Sequence, residues 1–454
     1  MTIFDFFVFS LFLGLLIFVG LYKSKKVNSE SAYLFAGRKT KLLALTATLV
    51  MTEFNSATLI SFSSIGYGVG FWALTLPFIF LFGLLFYALT VAKKWKTFDG
   101  LSVAGFFTKR YGRDIGLLAS GLLMLAMIGF SATYIKSLLL LFQPLFPTLS
   151  PWLLSLSLLA VVLAMSLRGG LIAIIRTDML SMVLVLLFFP LMALIMWKSS
   201  ASPAVHSMVQ PSSALLPFRF VFSLIILTMF TYILAPWYGQ KIFAAHSPKV
   251  AYWAVILAAV LVFLLYGSAI VATALFRYRG HASGSWEQAL PDLIHYVLPS
   301  GVKGFAYALF FTTSATTLTG VWSAMSSMWI GDFLKGAKES GCRRSIVITF
   351  LFALLSFVLA NTLVDKVFDK LILANIPVAA LSFGLLAGFY WKRASRAGVY
   401  LSILMGCLCG LGAYLLFGEA GCYTWYWAVY GIPLIFLSGI VGSLLSPQTS
   451  AVKA

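Results

Sequence analysis

Apolar runs of about 20 residues, each long enough to cross a hydrocarbon core of roughly 30 Å as a helix, recur along the whole chain and are separated by short polar stretches. Thirteen such runs are readable, at residues 3-22, 42-65, 70-92, 115-145, 151-167, 171-197, 217-240, 250-276, 304-330, 345-364, 371-391, 397-417 and 424-446. This pattern predicts an all-α integral membrane protein of about 13 transmembrane helices, a single domain over 1-454. The segment "FDFFVFSLFLGLLIFVGLY" has no basic stretch before it and no small-residue cleavage site after it, so 1-22 is expected to remain as a first helix.

Two runs are interrupted. The second breaks at "TEFNS", residues 52-56, and the seventh at "ILAPWYGQK", where Pro236 lacks an amide donor and Gly239 relaxes the backbone. The breaks lie five spans apart, as they would in a transporter built from two inverted five-helix repeats, whose first helices are discontinuous and line a midplane site. On this reading the first repeat is 42-197, the second 217-391, and 397-446 supplies two C-terminal helices.

Composition agrees: of 454 residues 61% are hydrophobic and 10% charged, against about 25% charged in soluble domains. The net charge of +19 would suggest nucleic acid in a soluble protein. Here the basic residues fall between apolar spans, which excludes that partner and makes them topology signals for a lipid bilayer. With the first loop inside, 24 of the 32 Lys and Arg residues lie in inner segments, including Lys23, Lys25, Lys26, Arg168, Arg176, Lys241, Lys335, Lys338 and Lys453. Seven lie outside, and Lys136 sits within a span, where snorkelling to the interface explains it. The N-terminus is expected outside and the C-terminus inside, in a multi-pass protein of the cell (inner) membrane. Cys342, Cys407, Cys409 and Cys422 have no metal spacing, the four histidines sit near loops, and no hydrolase or metalloenzyme signature appears.

The candidate chemistry lies inside the spans. Glu53 follows Lys41 by twelve positions, about 18 Å of helix, which puts an acid near mid-membrane with no neutralising neighbour in sequence. Such a group costs about 2.5 to 3.5 kcal/mol on insertion scales. It either bonds between helices as the neutral acid or faces a cation or solute. The ninth span, "FFTTSATTLTGVWSAMSS", is dense in hydroxyls; these bond back to the preceding turn, glue helices together, or ligate a hard monovalent cation together with freed carbonyls. Asp178 stands two residues after Arg176, either as its interfacial partner or on an ion path. Tyr232, Trp237 and Tyr238 flank the second break, as interfacial belt residues or as a surface on which a solute stacks.

Taken in order, these blocks resemble the sodium:solute symporter family. "YLFAGRKTKLLALTATLVMTEFNSATLISFSSIGYGVGFWAL" is similar to the family's opening signature, and "FFTKRYG", "GGLIAIIRTD", "APWYGQKIFAAHSPKVA", "ALPDLIHYVLPSGVKGFAYALFFTTSATTLTG" with "GDFLKG", and "LSFGLLAGFYWKRASRAGVYLSILMG" match further blocks. The resemblance implies thirteen helices, a leucine-transporter-like 5+5 inverted repeat and alternating access. It also implies a sodium site at the carbonyls of Met51, Phe54 and Thr313 and the hydroxyls of Thr316 and Thr317, with Thr-Thr where the family usually has Ser-Ser or Ser-Thr. Asp178 falls on the family's aspartate associated with sodium affinity and release, with Ser181 in place of the usual glutamine. Glu53 falls where proline-type members carry an aspartate implicated in coupling, and Asn55 replaces a small hydroxyl residue near the substrate.

The expected function is sodium-coupled symport of a small polar organic solute, an amino acid such as proline or an organic acid, sugar or vitamin. Na+ is the coupling ion, and no other cofactor or catalysis is expected. Glu53 and Asp178 are the expected coupling residues, and Glu53, Asn55, Tyr232, Trp237 and Tyr238 the expected solute contacts. Proton coupling through Glu53 is the alternative. A channel and a membrane sensor with a transporter-like fold are further alternatives, although the closing "SPQTSAVKA" holds no kinase or receiver region.

Overall fold

The computed structural model describes residues 2–21, 36–100, 102–166, 170–199, 216–333, 343–419 and 422–446. Lys23, Lys25, Lys26, Arg168, Lys335, Lys338, Lys453 and Cys342 lie outside the described residues. Among the described residues the chain is helical with no strand, apart from one isolated bridge between Thr40 and Ala245. In chain order the helices are α1 Ile3–Leu21, α2 Leu42–Glu53, α3 Ser56–Val69, α4 Pro77–Tyr87, α5 Val103–Tyr111, α6 Arg113–Phe142, α7 Pro151–Ser166, α8 Gly170–Lys198, α9 Phe218–Tyr232, α10 Pro236–Phe243 and α11 Pro248–Tyr278. There follow α12 Ala289–Val297, α13 Val302–Met328, α14 Arg343–Thr362, α15 Val367–Leu373, α16 Ile376–Ala380, α17 Ser382–Tyr390, α18 Arg396–Phe417, α19 Tyr423–Tyr426 and α20 Ile432–Leu445.

Nine helical stretches among the described residues are long and apolar enough to cross a membrane, and the bent pair α9–α10 makes ten. The other three expected spans are helical too. They are α1, α7 and α13, and in α13 the hydroxyls dilute the apolar character. Several boundaries differ from the sequence reading. The second span runs through α2 and α3 to Val69, a 3-10 turn over Gly70–Thr75 intervenes, and Pro77 opens α4. Proline is favoured at the first helical position because its missing amide would have been unpaired there. The span expected at 371-391 is three short helices, with Pro377 opening α16 behind Asn375. The segments 103–111 and 289–297, expected as loop, form α5 and α12.

The core centres on α2, α3 and α13, most of whose residues are buried. α11 packs on α2, α3 and α4, and α8 packs on α2 and α11. Close approach there depends on small residues: a Cβ on Gly66 of α3 would lie 2.8 Å from Thr273 Oγ1 and 3.2 Å from the Ile270 carbonyl oxygen of α11. Apolar side chains on the other faces point outward, among them Leu11, Leu125, Leu187, Leu404, Leu415 and Leu437. A belt of this kind suits lipid, since lipid tails, unlike water, exact no cost for apolar exposure. Polar ties fix the ends. Asp332, just beyond α13, accepts hydrogen bonds from Ser102 (3.0 Å) and Ser120 (2.5 Å), holding α5 and α6 to it. The segment before α2 is tied to the end of α10 by Thr40 N to Ala244 O (3.0 Å) and His246 N to Thr40 O (2.9 Å).

Candidate functional site

The break between α2 and α3 frees two particular carbonyls. In an unbroken helix the Asn55 amide would close on the Met51 carbonyl; here it donates to Glu53 O at 3.0 Å. The Thr58 amide would close on Phe54 O; here it donates to Asn55 Oδ1 at 3.0 Å, so Asn55 caps α3. Asn55 Nδ2 also bonds Glu53 O (2.9 Å), as does the Tyr266 hydroxyl (2.6 Å), which fixes the turn from three sides. Met51 O and Phe54 O are thus released from the ladder deep in the bundle, where water cannot compensate.

Met51 O is met from α13. Thr317 Oγ1, with one proton to give, lies within hydrogen-bond distance of both Met51 O (3.2 Å) and Thr313 O (2.8 Å), while Thr316 Oγ1 bonds Thr313 O at 3.3 Å. Met51, Thr313, Thr316 and Thr317, four of the five sodium ligands expected from the family alignment, therefore converge between α2 and α13. Phe54 stands at the same break, its ring packed against Phe189 and Tyr266 at centroid distances of 4.8 and 4.9 Å. These are hard oxygen donors without net charge, a set that suits a monovalent cation.

Asp178 lies beside this cradle, fully buried. The sequence offered Arg176 as its partner, but residues two apart on a helix do not face each other. Its ion pair is with Lys241 of α10, at 3.4 Å. Thr48 Oγ1 donates to the same carboxylate oxygen at 2.5 Å, and the Thr316 hydroxyl is a further hydrogen-bond neighbour. Lys241, counted in sequence among the inner-loop cations, is buried in the protein; this corrects the topology count by one residue. The signal was present, since Lys241 comes five residues after Pro236 within the second broken span and is an ionisable group inside a membrane segment.

Glu53 ends α2 with its carboxylate inside a group of tyrosines. Tyr232 donates to Oε2 at 2.5 Å, and Tyr87, Tyr134, Tyr238 and Tyr266 lie within electrostatic reach. Glu53 Oε1, Tyr87 Oη and Tyr238 Oη are buried without a partner. Orphaned polar atoms of this kind are costly unless a ligand, ion or water completes them.

A cavity of about 690 Å³, counting its mouth, opens next to this group. Asn55, Tyr232 and Trp237 line it, with Phe130, Ile372 and Asn375 among the other walls. Trp237 is held edge-on against Phe130 at 5.1 Å. Glu53 and Tyr238, both expected as solute contacts, do not line it. Glu53 lies behind Tyr232, and the Tyr238 ring packs on Tyr87 at 5.2 Å. Among the described residues, no charged side chain lines it. The walls contributed by Thr58, Phe130, Tyr134, Ile372 and Asn375 went unnoticed in the sequence, because residues from α3, α6, α15 and the start of α16 meet only on folding.

A model of the sodium:solute symporter family matches residues 33–406. The sodium/pantothenate symporter of Haemophilus influenzae is 22% identical over 217 residues, 46% of this chain and 44% of that protein. Sodium/myo-inositol cotransporter 2 of Rattus norvegicus is 24% identical over 147 residues, 30% of this chain and 22% of that protein. The chain thus spans less than half the length of these relatives. Among solved structures, a substrate-bound, outward-open Na+-coupled sialic acid symporter superposes with a TM-score of 0.81 at 18% identity, covering 100% of both chains. MhsT in complex with L-phenylalanine gives 0.52 at 16% identity, over 89% of this chain and 98% of that one. At these identities the likeness is one of fold, the leucine-transporter-like fold of sodium-coupled transporters.

Proposed function

The chain belongs to the sodium:solute symporter family, and from that premise we propose that it is a secondary active symporter in which a sodium ion drives uptake of a small organic solute by alternating access. One observation carries this reading: the carbonyl freed at the α2 break, Met51 O, faces Thr317 Oγ1 of α13 at 3.2 Å. A sodium ion bound by Met51, Phe54, Thr313, Thr316 and Thr317 would tie the broken helix to α13 and favour the conformation in which those elements are together. Solute in the neighbouring cavity would favour closure around it. A ligand shifts a conformational equilibrium only through its different affinity for the two states, so transport requires both ligands at once.

For the solute, the cavity supports a neutral or zwitterionic molecule with an apolar body. Its walls are mostly aromatic and aliphatic, with Asn55, Tyr134, Tyr232 and Asn375 as the polar points that would orient a ligand. An amino acid remains the favoured class. Counterflow in proteoliposomes tests the whole reading: uptake should need sodium and should fall sharply in Thr317→Ala. Solute uptake indifferent to both would refute it.

The unpartnered Glu53 Oε1 supports a second reading, in which a proton at Glu53 does the coupling. Uptake driven by a pH gradient in sodium-free medium, and lost in Glu53→Gln, would establish that alternative.

A further inference from the structure

The solute cavity is richer in rings than in free hydrogen-bonding groups. Eight of its 18 lining residues are aromatic, against 16% of the chain. The rings meet at steep angles: Trp237 and Phe130 at 76° with centroids 5.1 Å apart, Tyr232 and Phe80 at 86° and 5.8 Å, Phe62 and Phe368 at 78° and 6.0 Å. Phe62 and Phe80, 5.8 Å apart, join the last two pairs into one wall. Rings set nearly at right angles turn their faces in different directions, as the sides of a box do. A cation over such a face is attracted by the ring quadrupole and needs no hydrogen bond. The polar groups of the same wall are largely committed inside the protein. Asn55 Oδ1 accepts from the Thr58 amide at 3.0 Å, one Asn55 N–H goes to Glu53 O at 2.9 Å, and the Asn375 amide donates to Leu371 O at 3.0 Å. Tyr232 donates to Glu53 Oε2 at 2.5 Å.

We infer that the solute is a zwitterion with a fully methylated ammonium, an amino acid of the betaine type, whose cationic head is caged by Trp237, Phe130, Tyr232 and Phe80. The inference rests on the symporter reading above and narrows its solute. Its physical basis is the count of donors and acceptors. A primary ammonium brings three N–H donors, and each one left unmet in a buried site costs its desolvation. Among the described residues no carboxylate lines the cavity to receive them. A methylated ammonium has no N–H to satisfy and offers the rings an apolar, positively charged surface. Its carboxylate would be met by donors that the wall still holds, the Tyr134 hydroxyl and the second N–H of Asn55 Nδ2. Tyr232 contributes its ring face while its hydroxyl is held by Glu53, so the acid stands behind the cage and does not touch the solute.

The test is calorimetric titration of the purified full-length chain in sodium chloride with three probes: glycine, glycine betaine, and 3,3-dimethylbutyrate, which has the shape of the betaine without its positive charge. Glycine betaine should bind about tenfold or more tighter than either of the others. In Trp237→Leu, which keeps an apolar side chain and removes the ring, its affinity should fall about tenfold, while Trp237→Phe should keep most of it. Glycine or 3,3-dimethylbutyrate bound as tightly as the betaine, no betaine binding in wild type, or unchanged betaine affinity in Trp237→Leu would overturn the inference. Should Trp237→Leu fail to fold, the three probes on wild type still decide. Repeating the titration in potassium chloride separates the two readings. Betaine binding that is equally tight without sodium and in Thr317→Ala sinks the sodium coupling and leaves the cage. A sodium-dependent rise in melting temperature in a chain that does not prefer the betaine sinks the cage alone.

Discussion

Thr317 Oγ1 of α13 lies 3.2 Å from the carbonyl oxygen of Met51, the acceptor left open where α2 ends. The same hydroxyl bonds Thr313 O one turn earlier, so a single side chain spans the two halves of the proposed cradle. In Thr317→Ala the sodium concentration for half-saturation should rise about tenfold or more, equivalent to roughly 1.4 kcal/mol. Without sodium the melting temperature should move little, because one hydroxyl bond contributes only about 1 kcal/mol net. Melting curves with and without sodium check this, since the stabilisation by a bound ligand tracks its affinity. Thr317→Ser should restore binding.

Tyr232 reaches Glu53 Oε2 at 2.5 Å and also forms part of the cavity wall. Tyr232→Phe keeps the ring and removes the donor, leaving both carboxylate oxygens unpartnered. A destabilisation of roughly 1–3 kcal/mol is expected, together with weaker solute binding. Adding Glu53→Gln to that background should recover part of the stability, as the charge is gone. Thermal melts of the single and double variants read this directly.

The cavity is predicted to hold the solute and not the ion. Ile372→Trp, from α15, would place an indole in it and narrow the space left for a solute. Solute counterflow should be abolished while the sodium-dependent rise in melting temperature persists. Loss of both together would show that the two sites are one.

Gly66 tests the helix contact that holds α3 to α11. Gly66→Ala brings a Cβ within 3.2 Å of the Ile270 carbonyl oxygen, which cannot swing aside as a side chain would. A loss of about 1–3 kcal/mol is expected. Gly121→Ala on α6, where nothing lies within 4 Å, is the control. It should be neutral or raise stability by up to about 1 kcal/mol, as expected on replacing a helix-interior glycine by alanine.

Much of this architecture is written in one dimension. Hydrophobic length dictates where helices run, because an unpaired backbone group is too costly in hydrocarbon for any other spanning form. The two breaks were readable from "TEFNS" and "APWYG", where an acid with an asparagine cap and a proline stop the ladder. The hydroxyl-rich α13 was legible as a candidate ion helix for the same local reason. The fragmentation of 367–390 and the helices α5 and α12 were not, since short amphipathic pieces next to membrane spans have no apolar length to announce them.

Pairing across the bundle is a different matter. That Glu53 carries a buried carboxylate follows from its position in an apolar run; that Tyr232, 179 residues away, supplies its donor follows from the folding of α9 against the break. Local sequence offered Arg176 as the partner of Asp178, two positions away and on another face of α8. Helix geometry and packing assigned Lys241 of α10 instead. Periodicity and apolar length are local properties that a chain carries before it folds, whereas the satisfaction of a buried charge depends on whichever distant group the packed helices bring within about 3 Å of it.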